Sequence, residues 1–416
     1  MKFSVFTPTH DTTHLVETYR SLLAQTFTDW EWVVALNNGA VLPPEIDDPR
    51  VHSYVAPQWM ASLGVGALKR FACTQCKGEY LVELDHDDIL VAEALEKIAG
   101  VDADFIFSDT AHFRANGEYQ LFGTEYGWEH YKVNGYDVNR SFDISASSLR
   151  QIFFAPDHVR VWRAETYHNI GGHDATLAVC DDFDLVVRTY LSGATFHHID
   201  ECLYLYRIRA DGNNTWLKRN ADIQTKQQEL ANRYTRPLVH EWCRREGLQQ
   251  LDLGGGTGCP EGFVALDLKN GYDLRQRWPF RDSSIGCIRA YDFLEHVPHC
   301  KDSECTHKPP FCSVGLMNEI HRVLVPGGWL LSATPSTDGR GAFQDPTHCS
   351  YWNPNSFWYY TRQAQQQYVP GIKARFQGTR IWQDHPSDWH KEHNILYVYA
   401  DLVALKGQRQ PGICEV

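Results

Sequence analysis

The 416-residue sequence has no apolar run close to the roughly 20 residues that a membrane-spanning helix requires. Its first residues, MKFSVFTPTH, lose their apolar character at Thr7-Pro8, too early for the hydrophobic stretch of a secretory signal. Positive charge is short: 39 Lys and Arg face 52 Asp and Glu, for a formal net charge of -13. Such a surface repels a phosphate backbone and speaks against a nucleic-acid partner. Twelve cysteines fall below the density of a disulfide scaffold and suggest mostly reduced, buried thiols. No internal repeat and no low-complexity tract is evident. What is present is 43% hydrophobic and 13% aromatic content, ample for real cores, over a length that suits two or perhaps three domains. The expectation is a soluble, acidic, cytoplasmic protein of about two domains.

Two places read as a strand running into a polar or glycine-rich turn. The first is the N-terminus, where Phe3 to Phe6 is strand-like before Thr7-Pro8-Thr9-His10. Leu15, Tyr19, Leu22 and Leu23 then recur at helical spacing, Glu31 to Leu36 reads as a buried strand, 64–76 as a helix and Glu79 to Leu84 as a strand. This rhythm predicts a parallel sheet covered by helices. The second place is Leu248 to Leu253, followed by Gly254-Gly255-Gly256-Thr257-Gly258, with further strands at 263–268, 285–290 and 328–333. Between them, 217–247 lacks glycine until Gly247 and reads as a connecting helix. The domains are therefore expected at 1–216 and 248–408, with 217–247 as connector.

In the first half, Leu84-Asp85-His86-Asp87-Asp88 follows a strand. Three carboxylates in four residues repel one another unless a cation or hydrogen-bond donors offset them. The C-terminal edge of a parallel sheet is also where ligands bind, and hard oxygen donors suit Mg or Mn. An acidic turn capping the next helix is the plainer alternative. The ordered strings SVFTPTHD, SLLAQTFTDWEWVVALNNG, KGEYLVELDHDD, NIGGHDATLAVCDDFDLVVRTYLSG and LYLYRIR resemble glycosyltransferase family 2 over about residues 3–210. The resemblance implies a GT-A (nucleotide-diphospho-sugar transferase) fold, a UDP- or GDP-linked sugar donor and an inverting displacement. It implies that Thr7, Pro8 and Thr9 line the nucleotide pocket, that Asp85 and Asp87 hold ribose and metal–diphosphate, and that Asp182, beside Asp181, is the general base. The sequence departs from the family's pattern in having Asn37 where an acid usually grips the base, and Arg209 after Tyr206-Arg207 where a His often stands. Arg207, Arg209 and Lys69 are candidates for the diphosphate, although Lys69 on a helix could equally be solvated.

In the second half, Asp252 opens the pattern D-x-G-x-G-x-G, and Asp267 ends the next strand, where an acid can accept hydrogen bonds from ribose hydroxyls. Alone this suits a dinucleotide or S-adenosylmethionine. The strings WPFRDSSIGCIRAYDFLEHV and NEIHRVLVPGGWLLSATPS resemble class I S-adenosylmethionine-dependent methyltransferases over about 248–405, which implies a Rossmann-like fold. By that resemblance Asp252, Gly254, Gly255, Gly256 and Gly258 surround the methionine end, Asp267 the ribose, and Asp273, Leu274 and Asp292 the remainder of the cofactor. Only Cys259 to Gly262 separate the glycine turn from the next strand, so the helix usual there is missing or reduced to a turn.

His296, Asp345 and His348 could deprotonate a methyl acceptor or hold a metal, or simply pin an aromatic loop. Cys300, Cys305, His307 and Cys312 have the ligand chemistry of a zinc site without its tightest spacing. The combined expectation is an α/β enzyme with two activities. It would transfer a sugar to a glycan or glycoconjugate acceptor, aided by a divalent cation, and O-methylate a sugar hydroxyl with S-adenosylmethionine. The alternative is a methyltransferase acting on a protein or small molecule, with the sugar domain as an acceptor-recognition module.

Overall fold

The computed structural model describes residues 1–212, 214–306 and 312–414. The chain divides into two compact units, Met1–Leu238 and Val239–Val416.

The first unit is built on β1 (Phe3–Thr9), β2 (Trp30–Leu36), β3 (Val51–Val55), β4 (Tyr80–Glu83), β5 (Ile89–Leu90), β6 (Phe105–Arg114), β7 (Tyr119–Gln120), β8 (Glu129–Val133), β9 (Tyr136–Arg140), β10 (Arg160–Arg163) and β11 (Phe196–Ile208). Their main path runs β3-β2-β1-β4-β10-β6-β11-β5, with β7 and the β8–β9 hairpin added on β6. β1 is parallel to β2 and β4, and β6 to β11, whereas β10 runs antiparallel between β4 and β6. Near-continuous apolar runs make β1 and β2 fully covered strands, with Phe3, Val5, Trp32 and Val34 in the core. The parallel strands end at one edge, and the reversed β10 starts there, setting Arg160 opposite Glu83 in the ladder. The helix Asp181–Leu191 buries Phe183, Leu185, Val186 and Val187, which fixes its first turn at that edge.

The stretch expected as a connector is the helix Asn220–Arg245. It is no free-standing linker. Leu230, Ala231 and Leu238 are buried, Tyr234 donates to Asp184 at 2.6 Å, and Arg150 donates to Thr235 at 2.8 Å. Pro237, which lacks a backbone donor, stands next to the division between the units.

The second unit carries β12 (Gln249–Leu253), β13 (Val264–Leu266), β14 (Ile285–Tyr291), β15 (Leu324–Pro335), β16 (Phe376–Asp384) and β17 (Tyr397–Ala404). Its sheet order is β13-β12-β14-β15-β17-β16. The first four strands are parallel, and β17 is antiparallel to both its neighbours. The chain leaves β12 to one side for β13 and then crosses to the other side for β14, so the order reverses at β12. That reversal opens a crevice at the strands' C-terminal ends. The helix Ser313–Val323 covers the sheet with Leu316, Met317 and Ile320. Between β12 and β13 there is one 3-10 turn, Gly256–Gly258, and no α-helix. Among the described residues no helix is long and apolar enough to cross a membrane.

Candidate functional site

At the C-terminal edge of the first unit's sheet, acids and bases interlock below the surface. Glu83, at the end of β4, is buried against the Lys69 ammonium and lies 3.8 Å from Arg160. Burial alone would raise its pKa, but Lys69, His158 and Arg160 hold it well below the usual carboxylate range. Arg160 donates to Asp182 at 2.6 Å and to the Pro156 carbonyl at 3.0 Å. His158 bonds Asp157 at 3.1 Å, and its Nε2 lies at ion-pair distance from Glu83 (3.7 Å) and Asp85 (3.9 Å). Burial and Arg160 oppose charge on this ring, yet Asp157 and Glu83 prevail and push its pKa up to about 10.

Asp181 and Asp182 diverge although adjacent. Burial pushes the Asp181 carboxyl up to about 7, with Lys69 opposing and the charges of Asp182 and Glu83 adding. Burial also works against charge on Asp182, but Arg160 and Lys69 outweigh it and hold this carboxyl below the usual range. Asp182 keeps a quarter of its side chain exposed, whereas Asp181 is enclosed. The helix Val65–Gln75 approaches so closely that a Cβ on Gly66 would lie 2.5 Å from the Asp174 carbonyl and 3.0 Å from Asp181. Four buried polar atoms here have no hydrogen-bond partner: Glu83 Oε2, His158 Nε2, His173 Nε2 and Asp181 Oδ2. Orphaned groups at one strand edge mark a place built for something other than this chain.

The DHDD turn is sorted by its surroundings. Asp88 is caged, accepting from Tyr204 Oη at 2.8 Å and from the Arg207 backbone N–H at 2.6 Å. Asp85 is a third exposed, and Asp87 lies 3.6 Å from Arg209. Burial, reinforced by the Asp85 charge, pushes the Asp87 carboxyl up.

Several residues expected to meet the donor directly are committed elsewhere. Thr7 is fully buried, donating to the Leu84 carbonyl at 2.6 Å and accepting from Trp32 Nε1 at 2.8 Å. Thr9 is buried and bonds Asp11 across the turn. Lys69 is neither solvated nor free for a diphosphate, because Glu83 and Asp181 enclose it. Arg207 bonds the Asp87 carbonyl and Glu17, and Arg209 faces Asp11, Asp211 and Asp87. Pro8 is half-buried, and Asn37 is buried with its backbone N–H on the Thr9 carbonyl. For the three bases the physical reason is shared: acids crowded at this edge have to be neutralised, and Lys69, Arg207 and Arg209 do it. Sequence reasoning passes over Glu83, Asp157, His158, Arg160 and His173. The available signal was the charged run Asp157-His158-Val159-Arg160 set into apolar sequence.

In the second unit, Asp252 is buried at the end of β12, with both oxygens 3.0 Å from Arg289 Nη1. A Cβ on Gly255 would lie 1.9 Å from Asp252 Oδ2, so glycine is what lets the turn fold over that carboxylate. Gly254 lies beneath the Phe293 ring. At Gly258 a Cβ would meet no protein atom within 4 Å, and no positive φ calls for glycine there. Asp267 and Asp292 follow β13 and β14 at the same edge. Asp267 caps a short turn through the Lys269 N–H, and Asp292 accepts from Tyr397 Oη at 2.7 Å. Asp273 is ion-paired to Arg275, and Leu274 is half-buried against the core.

Beyond β14, one ligand-capable atom each of Glu295, His296 and His348 gather within 4.8 Å. His348 Nδ1 faces the Ala342 carbonyl at 3.0 Å, so it carries the proton and leaves Nε2 a lone pair. Thr347 gives its hydroxyl proton to Asp345 at 2.6 Å and therefore accepts from His296 Nδ1 at 3.2 Å. Thiol sulfurs of Cys300, Cys305 and Cys312 also cluster, whereas His307 lies outside the described residues.

No protein-family model matches the chain, and no curated protein matches it. Among solved structures it is similar to residues 1–349 of S. aureus TarS, at 20% identity over 50% of this chain and 60% of that one, with a TM-score of 0.40. The same protein is also known with UDP-GlcNAc, matching at 20% identity over 50% and 59% of the two chains with a TM-score of 0.40. A mannosyltransferase from Pyrobaculum calidifontis, in complex with GDP-Man and Mn2+, matches at 13% identity over 58% of this chain and 69% of that one, again with a TM-score of 0.40. The match thus spans about three fifths of the TarS fragment's length.

Proposed function

We propose that the first unit transfers a sugar from a nucleotide-diphosphate donor to a hydroxyl acceptor with inversion. The observation that carries the reading is the presence, at one sheet edge, of Asp182, a quarter exposed and held, despite burial, below the usual carboxylate range by Arg160 and Lys69, together with Asp85, a third exposed, and the buried Asp87. Asp182 would accept the acceptor's hydroxyl proton as the new C1–O bond forms and the bond to the departing diphosphate breaks. Arg160 fixes its orientation from one side, and the Phe183 N–H holds the other oxygen at 2.8 Å. Asp85 and Asp87 would hold a divalent cation, Mn or Mg. Burial and the Asp85 charge raise the Asp87 carboxyl against the pull of His86 and Arg209, a cation would offset both, and carboxylate oxygens suit such ions. When bound, that cation supplies positive charge to the leaving diphosphate.

We further propose that the second unit binds S-adenosylmethionine and O-methylates a sugar hydroxyl. The support is the open backbone at Gly258, the acids Asp252, Asp267 and Asp292 at three adjacent strand ends, and the His296 and His348 imidazoles gathered beside Glu295. His348 or His296 would take the acceptor's proton. The test is to incubate the purified chain with a panel of UDP- and GDP-sugars, S-adenosylmethionine, Mn2+ and oligosaccharide acceptors. Mass spectrometry should find a glycosyl increment and, separately, a 14-dalton methyl increment on the acceptor (about one CH2). If neither increment forms on any acceptor, the reading fails. If methylation appears on protein or small molecules and never on saccharide, the recognition-module alternative stands.

A further inference from the structure

We propose that Cys300, Cys305 and Cys312 form a structural zinc centre that clamps the 299–306 segment onto the second unit. Among the described residues this is the one group of potential ligands made of thiols alone, with sulfurs within 4.8 Å of one another. The Cys305 and Cys312 sulfurs stand 3.5 Å apart, well beyond the roughly 2.05 Å of a disulfide. Three thiols cannot all be satisfied by pairing, because one sulfur is always left over. A single Zn2+ takes all three, at about 2.3 Å each, at three corners of a tetrahedron whose ligand separations fit the gap observed, with a water molecule at the fourth. Each thiol gives up its proton to solvent as its bond to the metal forms.

The backbone is arranged to bring these sulfurs together. Cys305 sits in the left-handed region at φ 49°. Cys312 caps the eleven-residue helix Ser313–Val323, its sulfur accepting the Gly315 N–H at 3.4 Å. The loop is also seated tightly. Gly371 donates its N–H to the Ser303 carbonyl at 2.8 Å, and a Cβ there would lie 2.5 Å from Cys305 Cβ.

The consequence concerns the neighbouring cavity, of about 530 Å³, lined by Cys300, Ser303, Tyr351, Trp352, Tyr360 and Ile372 among others. The cysteine loop forms one wall of it, so zinc would set that wall's shape. This inference does not depend on the methyl-transfer reading.

The test uses the full-length chain purified without chelator. Elemental analysis should give one zinc per chain for the wild type and for the Cys349→Ser control, whose thiol is exposed and outside the cluster. Cys305→Ser should lower zinc affinity at least tenfold. Because that variant could fail to fold, the wild type is also loaded with Co2+, where a near-ultraviolet thiolate-to-cobalt band and intense visible tetrahedral bands are expected. A strong chelator should lower the Tm. Three readily titrated thiols with no bound zinc, iron in place of zinc, or a mapped Cys305–Cys312 disulfide would each overturn the proposal.

Discussion

The two sheet edges solve the same problem with opposite materials. In the first unit the edge is made of charged side chains, and three of its acids face a base, Glu83 to Lys69, Asp182 to Arg160 and Asp87 to Arg209, while Asp88 is held by Tyr204 and a backbone N–H. In the second unit the edge is mostly backbone, with Gly255 folded over an ion pair between Asp252 and Arg289, and Gly254, Gly256 and Gly258 in the same turn. A charged edge is organised before any ligand arrives, and it pays in desolvation. A glycine edge has little to reorganise but depends on the ligand to fill the space above it. Substitutions in the first should therefore disturb both folding and chemistry, and substitutions in the second chiefly ligand affinity.

The largest effect is expected at Asp182. Replacing it with Asn keeps the shape but removes the proton acceptor, so glycosyl transfer should fall by roughly 10²–10⁴-fold. Methylation of a preformed acceptor by the same sample should stay at the wild-type rate, and a parallel loss of both would break the division between the units.

Next comes Arg160→Met, which strands Asp182 and Glu83 without their shared base. Removing one partner of a buried ion pair costs about 3–5 kcal/mol, to be read from denaturant unfolding of the first unit. No loss of stability would show that the network is not the organiser described above.

For the second unit the sharpest change is Gly258→Ala. The added methyl meets no protein atom, so the Tm should hold within a degree or so while affinity for S-adenosylmethionine drops about tenfold, or about 1.4 kcal/mol. An unchanged affinity would remove the reason for a glycine there.

The smallest effect concerns pH. With the Asp181 carboxyl raised to about 7, the native state holds a proton that the unfolded chain releases near its ordinary carboxylate range. Folding stability should therefore decline as pH rises from about 4 to about 7 and level off above. Asp181→Asn should flatten that decline in a series of unfolding curves. A variant with the same slope as wild type would assign the effect to another group.

Much of the frame was legible from residue patterns. Alternation and apolar runs located β1, β2, β4, β12, β14 and β15, and helical spacing located Leu15–Leu23 and Val65–Gln75. The short link after Gly258 also read directly as a missing helix. Strand order did not follow from local pattern: β10 is four residues long and runs against its neighbours, a placement fixed only by packing. The same limit hid Arg160 and His158, whose partners Glu83 and Asp85 lie more than 70 residues away in sequence. It also reversed the reading of Lys69, which on helical spacing alone could face water but is enclosed by acids from β4 and the helix at Asp181. Thr7 and Thr9 stand at the end of β1, and their hydroxyls bond backbone carbonyls there. Motifs thus located the edges, and the charge balance within each edge needed three dimensions.

The central claim is that one chain carries two separate ligand-binding edges. Isothermal titration tests it most directly, using S-adenosylmethionine and then UDP- or GDP-sugars with Mn2+, on wild type, Gly258→Ala and Asp85→Asn. The account predicts two independent one-to-one binding events, with Gly258→Ala weakening only the first ligand and Asp85→Asn only the second. Heat of binding for neither ligand, or a single substitution abolishing both, would contradict it.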